Sequence, residues 1–479
     1  MSKVQRISRT FTLRDQKVFA ELSGDFNPFH IDELHSRRLM FGDVLVHAVH
    51  GLLWGLDCWL AGRSNSIRLT SLRVIFQKPI RIEETVDYDV KEDVEGRVVI
   101  RLLNGSDTAT IIEAEFTTGL LSYGRSLPNA NPPLQTCLDR SATELADAHG
   151  SLQLAINLRL ASDAFPNLVR VLCSVQLAEI LASTRLVGME CPGLHSLYSK
   201  LDLDFTHSDS SAMKLNYRVK DLDPRFSMIN IQIGGPRMTG DIKAFIRPAP
   251  QCQPSFCEIQ QEILQHAFLG RRAFVVGGSR GIGEVTAKLL AAGGAEVVLT
   301  YFRGADDACR IVEDINTNGG TADFIRFNAL SPRFVRPDRM AQNWWPTHVY
   351  YFATPHISAG PKRDFDANLF HNFTDYYVVG LMETYKLFKD QGLKYIFYPS
   401  SIFVEETSPD MSEYTAAKSA GEMLCRFLME IDADLQIDAP RLPRLATDQT
   451  ASLLPVTKED PVPVMLGYLK QRRKSTLKN

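Results

Sequence analysis

Phe41-Gly42-Asp43-Val44-Leu45-Val46-His47-Ala48-Val49-His50-Gly51-Leu52-Leu53-Trp54-Gly55-Leu56-Asp57-Cys58-Trp59-Leu60 is the stretch on which the fold turns. From Val44 onward only His47, His50 and Asp57 interrupt an apolar run, so it reads as a helix buried on most sides. It is too short and too polar to cross a bilayer. Four stretches rich in β-branched residues follow, at 66–79, 85–93, 97–105 and 108–118, and turn formers separate these predicted strands. The same order returns downstream: a helical run at 166–188, then strand-like runs at 194–207, 212–221, 226–235 and 239–248. Even the leading strands rhyme, Ser71-Leu72-Arg73-Val74-Ile75-Phe76 against Ser199-Lys200-Leu201-Asp202-Leu203-Asp204-Phe205. A long helix wrapped by an antiparallel sheet, present twice, predicts an internal duplication, with two unrelated α+β units as the alternative.

Two Pro-rich stretches, 126–135 and 247–256, read as linkers and leave segments 1–125, 140–248 and 265–479. The chain of 479 residues is 44% hydrophobic and 23% charged, enough apolar mass for several cores and no composition for a fibrous or disordered protein. A net charge of −3 supplies no field to recruit nucleic acid or an anionic membrane, and the basic run 470–474 reads as a solvated tail. Eight scattered cysteines form no Cys-x-x-Cys pair, and Cys252 and Cys257 lack histidine neighbours, so no metal site is expected. The first residues have no apolar signal core. Together with the free thiols, that predicts a cytoplasmic protein.

Segment 265–479 changes character. An apolar strand enters Val276-Gly277-Gly278-Ser279-Arg280-Gly281-Ile282-Gly283, a helix follows, then a second strand at 295–302. That alternation predicts a doubly wound parallel sheet, with a glycine turn that lets backbone approach a pyrophosphate at a helix N-terminus.

Two constellations carry chemistry. In Leu22-Ser23-Gly24-Asp25-Phe26-Asn27-Pro28-Phe29-His30, turn formers place Asp25 and His30 on one loop beside the buried helix. A carboxylate and an imidazole held together orient a water, take its proton and return one to the neighbouring carbon. A helix-capping Asp with an idle loop His is the plain alternative. The second constellation is Ser401 at a strand end with Tyr414 and Lys418 four residues apart on one helical face. A neighbouring ammonium favours the tyrosinate and is expected to lower the phenol's pKa.

The first string resembles the signature of the MaoC-like, R-specific enoyl-thioester hydratases of hot-dog fold, over about residues 8–120. The resemblance implies that Asp25 and His30 activate the water and that the backbone N–H near Ala48 polarises the thioester carbonyl. Asn27, His47, Ala48 and Gly51 are then candidates for substrate binding, Asn27 by supporting the loop, while His47 and His50 also read as packing residues. The segment 140–248 has no such string, and is expected to be a second, non-catalytic hot-dog unit.

The second constellation, with the glycine turn, resembles the short-chain dehydrogenase/reductase family over about residues 270–450. The resemblance implies Tyr414 as proton donor, Lys418 as its tuner and ribose anchor, and Ser401 as carbonyl polariser. Cofactor contacts fall on Gly277, Ser279, Arg280, Gly281, Ile282, Gly283, Arg303, Asn328, Tyr414 and Lys418. The second strand ends without a carboxylate, and Arg303 and Arg280 suit a 2′-phosphate, which favours NADP(H) over NAD(H). Phe352-Ala353-Thr354-Pro355 replaces the usual Asn-Asn-Ala-Gly, Tyr377 stands for the relay Asn, and Asn328 for the adenine-contacting Asp.

Joined, the two resemblances imply a bifunctional enzyme that reduces 3-ketoacyl thioesters and hydrates or dehydrates at C2–C3. Its substrate would be an acyl-CoA or acyl carrier protein thioester, and it is expected to be a homo-oligomer. The alternative is a reductase of another carbonyl, such as a nucleotide sugar, whose hot-dog half only binds an acyl thioester.

Overall fold

The two predicted repeats meet in an antiparallel ladder without a register shift. In the computed structural model, residues 7–63, 65–118, 127–206, 213–357, 359, 364–406 and 408–471 are described. The chain divides into two compact units, Met1–Ala249 with Ser452–Pro455, and Pro250–Ala451 with Val456–Asn479.

The first unit is built on one antiparallel sheet of ten strands. They are β1 (Ile7–Thr10), β2 (Ile67–Phe76), β3 (Thr85–Val94), β4 (Arg97–Asn104), β5 (Asp107–Thr118), β6 (His149–Gln153), β7 (Ser196–Phe205), β8 (Lys214–Asp223), β9 (Met228–Gly234) and β10 (Met238–Ile246). Their order is β1-β3-β4-β5-β2-β7-β10-β9-β8-β6. Read inward from each edge, it is one connectivity written twice, 1-3-4-5-2 and 6-8-9-10-7. The rhyming stretches β2 and β7 meet at the centre, with Leu72 opposite Leu203 and Val74 opposite Leu201, all buried. Alternation along these strands turns one face to two long helices, Ala48–Leu60 and Ser174–Arg185, in a single core. Both helices begin alike: His47 and Cys173, the residues before them, have φ/ψ of −55/127 and −62/127.

Three expectations need correction. The helix occupies only the last thirteen residues of the run 41–60. Gly42 turns at φ 69, and the β-branched stretch around Val44-Leu45-Val46 stays extended, with Val46 N–H donating to the Ile80 carbonyl at 2.8 Å. The run 166–188 is two helices, Pro166–Val171 and Ser174–Arg185, separated by the extended Cys173, and then a wide π-helical turn, Leu186–Glu190. Arg247, assigned to a linker by sequence, is 2% exposed.

The second unit has six parallel strands: β11 (Arg272–Val276), β12 (Glu296–Tyr301), β13 (Thr321–Arg326), β14 (His348–Tyr351), β15 (Tyr395–Phe397) and, after the short β16 (Ser400–Ser401), β17 (Gln436–Asp438). The order β13-β12-β11-β14-β15-β17 is the doubly wound one, reversing direction between β11 and β14. The predicted alternation fails once. Between β13 and β14 the chain runs without a helix, because Pro332, Pro337 and Pro346 deny the backbone donors a helix needs. Trp344 fills the space, buried against Phe334. Among the described residues no helix is long and apolar enough to cross a membrane. The basic run 470–474 lies mostly outside the described residues.

Candidate active site

Asp25 and His30 are brought together. The helix Leu13–Ser23 ends at Gly24, whose φ of 78 is left-handed and whose added Cβ would meet the Arg185 side chain at 2.7 Å, so glycine is needed there. The chain then turns through Asp25 into a short helix, Pro28–Ile31, capped by the Asn27 side chain. One ligand-type atom each of Asp25, His30 and His47 lies within 4.8 Å of the others. His30 Nδ1 is 2.8 Å from the Leu45 carbonyl. Only a protonated Nδ1 satisfies that oxygen, which leaves Nε2 with a lone pair.

Much of the grip on Asp25 comes from the second half of the sheet unit. Thr184 Oγ1 donates to Asp25 Oδ2 at 2.7 Å, and Asn27 Nδ2 donates to the carbonyls of Gly188 (2.9 Å) and Gly193 (3.2 Å). A Cβ on Gly188 would stand 2.0 Å from Asp25 Oδ1. The π-helical turn therefore lets backbone pass where a side chain would displace the carboxylate.

Electrostatics push the pair in opposite directions. Burial drives the Asp25 carboxyl up to about 7, against the hydrogen bonds from Thr184 and the Asn27 N–H. Burial brings His30 down to about 4, with Arg247 adding to the fall and the Leu45 carbonyl opposing it. Near neutral pH the site thus holds a neutral imidazole with a free lone pair and a carboxyl poised between its two forms. Such a pair can take a proton from a water and supply one to carbon.

The other candidates separate by position. His47 is fully buried, stacked on His30 with centroids 3.9 Å apart, with Nε2 3.0 Å from the Asp25 carbonyl and Nδ1 2.9 Å from Gln16 Oε1. It contacts the Asp25 backbone through that carbonyl. Both its nitrogens are engaged, so the three-residue cluster is not a set of free metal ligands. Gly51 faces Leu102 of β4 and serves packing, and Asn27 holds the loop. Ala48, half-buried, opens the helix, where first-turn N–H groups have no intrahelical acceptor.

In the second unit, Ser401 ends β16, and Tyr414 and Lys418 share the helix Ser412–Ile431; all three are buried. The expected lowering of the phenol is corrected: burial pushes Tyr414 up to about 12, and only the influence of the nearby Ser401 side chain opposes it. The Lys418 ammonium donates to the Pro399 carbonyl at 2.7 Å and lies 3.8 Å over the Tyr377 ring, farther from Tyr414 at 5.8 Å from its centroid. Burial brings Lys418 down to about 7. Tyr377 thus sits directly against the lysine, its hydroxyl 2.6 Å from Thr354 Oγ1. Two of the family departures singled out by sequence are therefore neighbours in one cluster.

The glycine turn has the cradle a dinucleotide needs. Gly277 is left-handed (φ 75), with the Phe352 backbone 3.0 Å from an added Cβ, and a Cβ on Gly283 would lie 2.2 Å from the Gly277 carbonyl. The helix Gly281–Ala292 starts with no side-chain cap, leaving its first N–H groups, Ile282 among them, at the turn that holds Ser279 and Arg280. Arg303 is exposed just past β12, and Asn328 Oδ1 accepts the Leu330 N–H at 3.1 Å, shaping its own turn. These residues fit a nicotinamide dinucleotide.

Thr184, Gly188 and Arg247 escaped sequence reasoning. Thr184 and Gly188 lie about 160 residues from Asp25 and carry no motif; the hint of duplication was the one signal leading toward them.

The family described as MaoC like domain matches residues 1–108, and the family described as short chain dehydrogenase matches residues 271–438. A 3-oxoacyl-[acyl-carrier-protein] reductase from Synechocystis is 42% identical over 65 residues, 14% of this chain and 26% of that protein, so the match spans about a quarter of that relative's length. Similar solved structures include an oxidoreductase from Escherichia coli (19% identity, TM-score 0.39, 43% of this chain and 91% of that one). Another is a short chain dehydrogenase from Escherichia coli CFT073 complexed with NADPH (18%, TM-score 0.37, 43% and 92%). Residues 1–108 are a MaoC-like domain and residues 271–438 a short-chain dehydrogenase domain, and the chain is a fusion of the two.

Proposed function

We propose that the protein is a bifunctional acyl-thioester enzyme, an NADPH-dependent 3-ketoacyl-thioester reductase and an R-specific enoyl-thioester hydratase or 3-hydroxyacyl dehydratase. The observation that carries the reading is the pairing of Asp25 and His30, with proton affinities pushed apart, beside the N-terminus of the helix Ala48–Leu60. In the hydration direction His30 Nε2 takes a proton from water, the oxygen adds at C3, and the Asp25 carboxyl delivers a proton to C2. The Ala48 N–H supports the enolate oxygen. The second half of the sheet holds Asp25 in place, and its sequence carries no Asp-x-Asn-Pro-x-His string of its own.

In the reductase, a bound nicotinamide supplies the hydride. Ser401 orients the carbonyl, Tyr414 carries the proton for the alkoxide, and Lys418 anchors the cofactor's ribose. Gly277, Gly281 and Gly283 give the pyrophosphate room, and Arg280 and Arg303 favour a 2′-phosphate. The 3-oxoacyl reductase relative supports a ketoacyl thioester as substrate, carried by CoA or by acyl carrier protein.

Crotonyl-CoA and crotonyl-acyl carrier protein test the hydratase by loss of enoyl absorbance. Wild type consumes the band, and Asp25→Asn and His30→Ala slow it at least a hundredfold. An unchanged band with both thioesters removes the hydratase. Acetoacetyl-CoA with NADPH tests the reductase, and equal rates for wild type and Tyr414→Phe remove Tyr414 from the reaction.

A further inference from the structure

Arg247 follows β10 and is 2% exposed, yet most of its hydrogen-bonding capacity is unused. Nη2 donates to the Leu194 carbonyl at 2.5 Å, while Nε and Nη1, which carry three of the guanidinium's five N–H groups, are buried without a partner. The guanidinium lies 4.6 Å over the Phe29 ring. No carboxylate among the described residues pairs with it. Asp139 turns instead to His195 (3.4 Å), and its side chain is 66% exposed. A buried cation with open donors and no counter-charge is costly to leave so, and an oxyanion is what relieves it.

Its location ties this donor set to the hydratase site. Phe29 precedes His30, and the Arg247 charge acts on His30, His35 and His195. Cys137, whose thiol donates to the Gly188 carbonyl, feels both Asp25 and Arg247. His35 Nε2 and His195 Nδ1 are also buried without partners. Around one corner of the Asp25–His30 pair stand a lone cation and two imidazoles with open nitrogens.

We propose that Arg247 binds an oxyanion of the acyl thioester, either a carboxylate borne by the acyl group or a phosphate of the carrier arm. This deepens the hydratase reading and rests on it for the substrate, while the anion site itself can be tested apart from catalysis.

Two readouts on the full chain decide the matter. Thermal unfolding with fumarate or inorganic phosphate is compared in wild type, Arg247→Met and Arg247→Lys, with circular dichroism to check folding. The anions raise the wild-type midpoint, the lysine variant keeps part of the shift, and the methionine variant loses it. If Arg247→Met does not fold, Arg247→Lys carries the comparison with a reduced shift. For turnover, kcat/KM is measured for fumaryl-CoA, crotonyl-CoA and the crotonyl thioester of N-acetylcysteamine, which has no phosphate. A carboxylate source makes the fumaryl-to-crotonyl ratio fall about tenfold or more in the variants, and a phosphate source makes the CoA-to-N-acetylcysteamine ratio fall instead. Midpoint shifts and ratios identical in all three proteins overturn the proposal. An anion shift that depends on Arg247, with no hydration by wild type, keeps the anion site and overturns the hydratase reading.

Discussion

Asp25 is held between two opposed influences, and Thr184 is the one that can be removed cleanly. The threonine hydroxyl donates to the ionised carboxylate and so favours it, while burial disfavours it. Thr184→Val deletes the donor at nearly constant volume, so the Asp25 carboxyl rises further. Whichever limb of the kcat/KM profile Asp25 governs then moves to higher pH, by about one unit for a hydrogen bond to a charged group. Thr184→Ser restores the limb, which a purely structural role would not predict. An unmoved profile in the valine variant would show that Thr184 does not tune Asp25. At this scale the sequence was half legible. Asp25, Asn27 and His30 lie within six residues and announce themselves as a string, whereas Thr184 and Arg247 reach the same place only through the sheet.

Elements were legible where burial alternates and obscure where the backbone departs from regular geometry. Eight strands of the first unit stand close to where β-branched runs placed them. β1 and β6 were missed because they are only four and five residues long and mostly exposed. The π-helical turns were invisible to periodicity, and both lie at the sites: Leu186–Glu190 passes Asp25, and Asp375–Gly380 carries Tyr377. The second turn presents an aromatic face to Lys418 at 3.8 Å. In a buried setting that contact is worth about 2 kcal/mol, so in the proposed reductase assay with NADPH and acetoacetyl-CoA the expected rate of Tyr377→Leu is lower by roughly tenfold or more. Tyr377→Phe keeps the ring and gives up only the Thr354 bond, and its rate stays near wild type. If leucine and phenylalanine behave alike, the ring face is not what positions the lysine.

Across the first unit, buried acids and buried imidazoles titrate against each other. Asp25 and Glu179 are both pushed up to about 7 by burial, so the folded state holds their protons more tightly than the unfolded chain. Their ionisation costs stability as pH rises from about 4 to 7, and that cost is fully present above 7. His30 and His50 are pushed down to about 4 and about 3, and His47 falls as well, so these three cost stability as pH drops below 6.5. The opposing slopes partly cancel between pH 4 and 6.5, which flattens the wild-type profile. Asp25→Asn removes one acid from the balance and keeps an acceptor for the Thr184 hydroxyl. Relative to wild type, the variant gains nothing near pH 4, then about 1.4 kcal/mol per pH unit up to 7, and levels at roughly 4 kcal/mol. For a unit of this size the gain is on the order of 10 °C in the midpoint at pH 8. Calorimetry of the full chain at pH 4, 6 and 8 reads that widening gap in the first unit's transition. A gap of constant size would mean that the buried carboxylate exacts no cost, and the same protein should then lack the raised proton affinity on which the proposed acid–base role of Asp25 depends.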